Sequence, residues 1–317
     1  MPDQQKHTPA NLTRETTTSG SGRTPLYSLP FPEVVRWFPS TDGVQIPGYD
    51  WGGDGPPLII AHATGLHGHT YAPLAARLRA SFHCYAIDIR GQGDAGVPDD
   101  GDFEWTGIAD DFTAVLDGLG LSGRGDVFGV GHSQGGYSIL QGELQRPGTF
   151  AGLFGFEPVV FTLPEGVVYS SSDSAMVIQA QKRREVFASR EAAYANYASK
   201  PPFSLIDDDA LRAYVEWGFD DLEDGTSRLK CRTANEGALF AHSQTDTLKH
   251  LHEIRCHVIL GLSENTAPNF IESVPDQHRR LKNSELVRFP ARTHFGILEG
   301  IDEMAEIITR SFLNHPA

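Results

Sequence analysis

Gly131-His132-Ser133-Gln134-Gly135 fits the pattern G-x-S-x-G, and it stands between the apolar run Val127–Val130 and the helical stretch Gln134–Gln145. Small residues on either side of a serine let a chain turn sharply from strand to helix and force the serine into a strained backbone conformation. The hydroxyl is then presented above a sheet, with the next backbone N–H pointing into the same space. A strand before the motif, a helix after it and a sheet beneath it are what this pattern demands.

The rest of the chain can supply that sheet. Pro57–Ala61 is short and wholly apolar, the mark of a strand covered on both faces, and Cys84–Ile87 and Leu153–Phe156 read the same way. Tyr71, Leu74, Ala75 and Leu78, and then Ile108, Phe112, Val115 and Leu119, recur at helical spacing between strands. Strand–helix units of this length predict a parallel sheet with right-handed crossovers and helices on both faces. Ahead of them, Val34–Phe38 and Val44–Trp51 predict a hairpin.

The rhythm breaks from Val159 to Leu251, where the charged stretches Gln181–Tyr197 and Asp208–Glu223 predict helices and no buried strand run occurs. It returns at Val258–Leu260 and Leu286–Phe289, and Ile301–Phe312 predicts an amphipathic closing helix. Residues 159–251 are therefore expected to form a helical lid, with 26–158 and 252–317 as the core domain and 1–25 as a disordered tail. Among the lid aromatics Tyr194, Tyr197, Phe203, Tyr214, Trp217 and Phe219, most are expected in the lid's own core. One or two should face a substrate, and Tyr214 and Trp217 are the first to test.

A formal net charge of −15 argues against nucleic acid or an anionic membrane surface as partner, because both demand clustered Lys and Arg. No run approaches the roughly 18 apolar residues of a membrane span, and the polar N-terminus lacks an apolar h-region, so a cytoplasmic enzyme is expected. Cys84, Cys231 and Cys256 are too few and too scattered for a disulfide framework and read as buried free thiols.

A serine hydroxyl needs a base to take its proton as it attacks. Of 13 histidines, His294 lies between the last strand and the last helix, at the sheet edge where ligands bind in open α/β folds. His62, His67 and His69 form a short cluster without a carboxylate or Cys at ligand spacing, so no metal is expected there. Attack on a carbonyl also needs donors for the oxygen that becomes negative. The N–H of Gln134 should be one, and the loop His62-Ala63-Thr64-Gly65-Leu66 should give the other, with Thr64 the best candidate and Gly65 next.

Together, His62-Ala63-Thr64-Gly65, Asp88-Ile89-Arg90-Gly91-Gln92-Gly93, Gly131-His132-Ser133-Gln134-Gly135 and Thr293-His294-Phe295-Gly296 resemble the α/β-hydrolase fold family, from about residue 30 to the C-terminus. The resemblance implies an α/β fold with a mostly parallel eight-stranded sheet, a helical lid after the sixth strand, and a triad in the order Ser, acid, His. Ala63 stands where the family usually has glycine, and Asp94 where a serine often closes the glycine turn. Dehalogenases and epoxide hydrolases of this fold carry an aspartate at the nucleophile position, so Ser133 implies acyl transfer instead.

Two acids compete for the triad. Glu264, three residues after Gly261, stands where the family's usual aspartate does, but in a polar loop where an exposed acid needs no explanation. Glu157 ends the apolar run Leu153–Phe156, and a carboxylate there is costly unless it has a partner such as His294. Glu157 is favoured. The expected activity is hydrolysis of a carboxylic ester or lactone of a small hydrophobic molecule, through an acyl-enzyme on Ser133 and without a cofactor. C–C bond hydrolysis, thioester hydrolysis and hydroxynitrile-lyase chemistry are alternatives on the same site, and a receptor-like ligand-binding protein is the alternative from another class. A homodimer is an open arrangement.

Overall fold

The computed structural model describes residues 23–161, 174–243 and 245–313. Its large sheet has eight strands. They are β1 (Val34–Pro39), β2 (Gln45–Gly52), β3 (Pro57–Ala61), β4 (His83–Ile87), β5 (Val127–His132) and β6 (Phe150–Phe156), then, beyond an insertion, His257–Asn265 and Ser284–Thr293. The insertion holds three short strands, β7 (Val186–Phe187), β8 (Phe219–Asp221) and β9 (Ser227–Leu229), so the last two of the large sheet are β10 and β11. The spatial order is β1-β2-β4-β3-β5-β6-β10-β11. β2 pairs antiparallel with β1 and β4, and every other pairing in the sheet is parallel.

Pro57–Ala61 is apolar throughout because both faces of β3 are covered. Leu58 and Ile60 pack with α1 (Ala72–Leu78) and the closing helix on one side, while Ile59 and Ala61 pack with α2 (Trp105–Gly118) and α3 (Gln134–Gln145) on the other. Each fully buried Leu, Ile or Phe of this kind contributes about 1.5–3 kcal/mol against exposure. The chain leaves β3 for β4 on one side and returns to β5 on the other, so the ends of β3 and β5 form a switch point where two loops part and leave a crevice.

The insertion between β6 and β10 carries α4 (Ala175–Gln181), α5 (Arg190–Ala198), α6 (Asp208–Trp217), α7 (Thr233–Ala241) and α8 (Thr247–His250). It departs from the expected all-helical segment. Gln181–Tyr197 is not one helix: α4 ends at Gln181, Val186–Phe187 pairs with β9, and Ser189 caps α5 by accepting the Ala192 N–H. Asp208–Glu223 stops being helical at Gly218, and Phe219–Asp221 joins the small sheet. The acids at its start do favour the helix, with the Asp207 side chain accepting the Asp209 N–H at 3.0 Å. Residues 162–173 of the expected lid lie outside the described residues. So do residues 1–22 of the expected tail, whose end is fixed by an Arg23–Glu216 ion pair at 2.6 Å.

After β10, α9 (Pro268–Arg280) leads to β11, and α10 (Ile301–Leu313) ends the described chain. Cys84 and Cys231 are buried and Cys256 is half-buried, all three with free thiols. Among the described residues no helix is long and apolar enough to cross a membrane.

Candidate active site

Ser133 sits where β5 turns into α3, with φ 55° and ψ −111°. Among the described residues three non-glycine residues have positive φ, and two of them, Ser133 and Glu157, belong to this site. Such a conformation costs about 1–3 kcal/mol and persists only where the surroundings impose it. The motif's glycines show what imposes it. A Cβ on Gly131 would lie 2.3 Å from the Gly135 carbonyl oxygen, and one on Gly135 would lie 2.0 Å from that of Ala61. The Ser133 N–H donates to the Phe156 carbonyl at 2.9 Å, pinning the turn to the end of β6.

Glu157 follows β6 directly and is fully buried. Its carboxylate accepts the Ser263 N–H and the Thr266 hydroxyl, each at 2.8 Å, and lies 2.6 Å from Nδ1 of His294. A carboxylate only accepts, so Nδ1 of the neutral His294 ring carries the proton and Nε2 keeps its lone pair. The ring stacks on Phe270 with centroids 4.4 Å apart. Glu264 is exposed. The loop after β10 thus gives this site two hydrogen-bond donors, from Ser263 and Thr266, while the acid comes from β6.

The loop after β3 is fixed by its own hydrogen bonds. The Ala63 N–H donates to the Tyr71 hydroxyl at 3.3 Å, and the Gly65 N–H to Oε1 of Gln92 at 2.6 Å. Gln92 in turn donates to Oε1 of Gln134 at 3.0 Å, tying the loop to the start of α3. With Ala63 and Gly65 engaged, the N–H groups of Thr64 and Gln134 have no hydrogen-bond partner among the described residues. These are the two amides that sequence reasoning singled out. Sequence reasoning missed Tyr71, Gln92 and His132 as parts of this site, although Gln92 and His132 were already inside its motifs.

The neighbouring histidines each have a separate protein partner. His62 accepts the Ile89 N–H at 2.9 Å and donates to the Ala63 carbonyl at 2.8 Å; burial lowers its pKa. His67 donates to the Tyr214 carbonyl at 3.0 Å, and burial pushes its pKa down to about 3. His69 meets the Glu33 carboxylate at 2.7 Å. Among the described residues, the group whose ligand atoms converge as a metal site would is Asp102, Glu104 and His242, with both acids at the exposed surface, and His242 there is already paired with Glu104 at 2.7 Å.

Residues 58–307 match the model of the alpha/beta hydrolase family. The chain belongs to that family. It is 25% identical over 182 residues to 2-(acetamidomethylene)succinate hydrolase of Mesorhizobium japonicum, a match covering 57% of this chain and 61% of that protein, less than two thirds of its length. The crystal structure of an E-2-(acetamidomethylene)succinate hydrolase is similar with a TM-score of 0.71 at 18% identity, covering 89% of this chain and 100% of that one. A thermophilic esterase from Thermogutta terrifontis, solved with malate, has a TM-score of 0.65 at 17% identity, over 89% and 99% of the two chains. An N-formylmaleamic acid deformylase from Pseudomonas putida S16 has a TM-score of 0.62 at 17% identity, over 87% and 99%. At such identities the solved structures show the fold, and the family model shows the family.

Proposed function

We propose that this α/β-hydrolase is a serine hydrolase cleaving a carboxylic ester or lactone of a small hydrophobic molecule through an acyl-enzyme. One observation carries the reading: a strained, buried Ser133 directly follows His132, whose ring centroid lies 4.9 Å from that of His294, and the His294 Nδ1 is held at 2.6 Å by a fully buried glutamate. In this reading Ser133 Oγ attacks the carbonyl while His294 Nε2 takes its proton, and the Thr64 and Gln134 amides receive the oxyanion. His294 then protonates the leaving group, water releases the acyl group by the same route, and Glu157 holds the imidazole tautomer and stabilises the imidazolium. Phe270 against His294 and Phe203, 5.7 Å from Phe295 between ring centroids, supply apolar walls. The segment between β6 and β10 acts as the lid that shapes the acyl pocket. The unpaired cysteines fit a cytoplasmic enzyme.

A second reading keeps the site and changes the bond. The names of the 2-(acetamidomethylene)succinate hydrolase and the N-formylmaleamic acid deformylase favour an amide-bearing acid as substrate. Labelling with a fluorophosphonate probe tests both readings at once, because both need a nucleophilic Ser133. Wild type should label and Ser133→Ala should not, with turnover falling at least about 10⁴-fold. Equal labelling of the two proteins would remove Ser133 from the mechanism. Turnover on p-nitrophenyl esters and lactones against N-acyl acids then separates the ester from the amide reading.

A further inference from the structure

His132 stands between the glycine that admits the sharp turn and the serine that makes it, and it is fully buried, as is Tyr71. Its Nε2 lies 2.8 Å from the main-chain carbonyl of His294, and its Nδ1 lies 2.7 Å from the Tyr71 hydroxyl. A carbonyl only accepts, so Nε2 carries the proton; Nδ1 of the neutral ring is then the acceptor, and Tyr71 must donate to it. Burial, reinforced by the nearby His294, keeps His132 well below the ordinary histidine range and therefore neutral. The Tyr71 oxygen still has a free lone pair, and the Ala63 N–H fills it at 3.3 Å.

The hydrogen bonds thus run in one direction, from the Ala63 amide through Tyr71 to His132 and on to the His294 carbonyl. We propose that Tyr71 and His132 are positioning residues, a buried relay that sets the Thr64 amide and the His294 backbone relative to Ser133. The proposal rests on the serine-hydrolase reading above.

A buried tyrosine and histidine must find partners somewhere, and satisfaction alone would be served by any nearby carbonyl. What distinguishes this pair is the identity of the partners. Ala63 adjoins Thr64, His132 adjoins Ser133, and the accepting carbonyl belongs to His294 itself. Each end of the relay is one peptide or less from an atom that must be placed for the reaction. Loss of the tyrosine hydroxyl would leave both the Ala63 amide and His132 Nδ1 without a partner. The loop would then seek another arrangement, and a misplacement near 1 Å costs reaction rate far more than binding.

Tyr71→Phe removes the hydroxyl and keeps the ring; His132→Gln keeps a donor toward the His294 carbonyl and loses the acceptor for Tyr71. The readout is saturation labelling by a fluorophosphonate, which separates the rate of bond formation from the affinity of the preceding complex. Each variant should slow bond formation about tenfold and leave affinity within about twofold, and the double variant should be no slower than either single one. Wild-type bond-formation rates in folded variants, or effects that multiply to about a hundredfold in the pair, would overturn the relay. If Tyr71→Phe lacks a cooperative melting transition, the His132→Gln rate decides alone. A wild type that does not label would overturn the serine-hydrolase reading and the relay with it, whereas a labelled wild type with unaffected variants overturns the relay only.

Discussion

In the large sheet, Leu58, Ile59, Ile60 and Ala61 are fully buried on alternate faces, and the stabilisation is apolar area that any well-packed neighbour provides. In the segment between β6 and β10, buried side chains such as Phe187, Leu211 and Phe219 are joined by a different kind of contact. Arg183 donates to Glu236 and to the Tyr214 hydroxyl, each at 2.6 Å, and to the Tyr197 hydroxyl at 3.2 Å. Glu185 accepts the Thr233 N–H at 2.7 Å, and the segment is fastened to the core by ties such as Lys230–Asp94 at 2.5 Å and the Asp207 N–H to the Leu298 carbonyl at 2.8 Å. Directional contacts between distant residues fix one shape, and a few substitutions can change that shape without disturbing the sheet. In the proposed reading, this contrast lets one core keep a reacting constellation while the segment beside it sets what may enter.

The largest effect expected should confine the chemistry to the core. Glu157→Gln keeps the side-chain volume but removes the charge that selects the His294 tautomer, and kcat should fall by about 10³–10⁴. Glu264→Gln, at an exposed position, should stay within about twofold of wild type. Steady-state rates on one ester settle it, and the reverse pattern would move the acid to the loop after β10.

The next test concerns the seam between the two regions. His67, on the core side, donates to the Tyr214 carbonyl of α6 and is held neutral by burial, with its pKa lowered to about 3. At pH 7 the folded histidine carries no proton and the unfolded one only about a quarter of one, so this group adds little pH dependence there. Below about pH 6.5 the unfolded histidine takes up a proton that the folded one refuses, and stability is lost progressively toward pH 3, by about 2 kcal/mol at pH 5. Burial lowers His62 and His132 as well, so they add in the same direction. Urea denaturation at pH 7 and pH 5 should show the loss, and His67→Gln should remove about 2 kcal/mol of it. An unchanged difference in the variant would show that His67 is protonated in the fold.

How much of this was legible in the sequence follows the same division. β3, β5 and β6 announced themselves because a strand covered on both faces is apolar at every position, and the elbow announced itself because its glycines are sterically required. Glu157 drew attention because a carboxylate ending an apolar run demands a partner, and its carboxylate lies 2.6 Å from His294 Nδ1. Inside the insertion α5 and α6 were visible but α4, α7 and α8 were not, and β7 is two residues long, with its pairing to β9 depending on residues about 40 positions away. The Gln92 bridge and the Tyr71–His132 contact were hidden for a related reason. Each joins loops that the sheet brings together, at sequence separations of 27 and 61 for the Gly65–Gln92 and Tyr71–His132 bonds, and no local pattern encodes such a pairing.

The smallest effect expected divides the aromatics of the insertion between shape and substrate. Tyr214 and Trp217 were the first candidates for substrate contact, yet Tyr214 is fully buried and bound to Arg183. Trp217 stacks on His69 with centroids 4.7 Å apart and meets Tyr27 edge-on at 5.8 Å, so it packs toward the N-terminal residues. Among the described residues Phe203 reaches from the insertion to the loop of His294: it packs on Tyr197 at 4.7 Å, on Tyr214 at 4.8 Å and on Phe295 at 5.7 Å. Phe203→Ala should therefore shift the kcat/KM ratio of bulky to small esters about tenfold toward the bulky ones, the scale of an enlarged apolar pocket. Trp217→Ala should lower the melting temperature and leave that ratio within about twofold, since its ring braces the insertion against the core. If Trp217→Ala moved the ratio and Phe203→Ala did not, the acyl pocket would open toward Tyr27 and away from Phe295, and the wall that chooses the substrate would lie on the opposite side of the insertion.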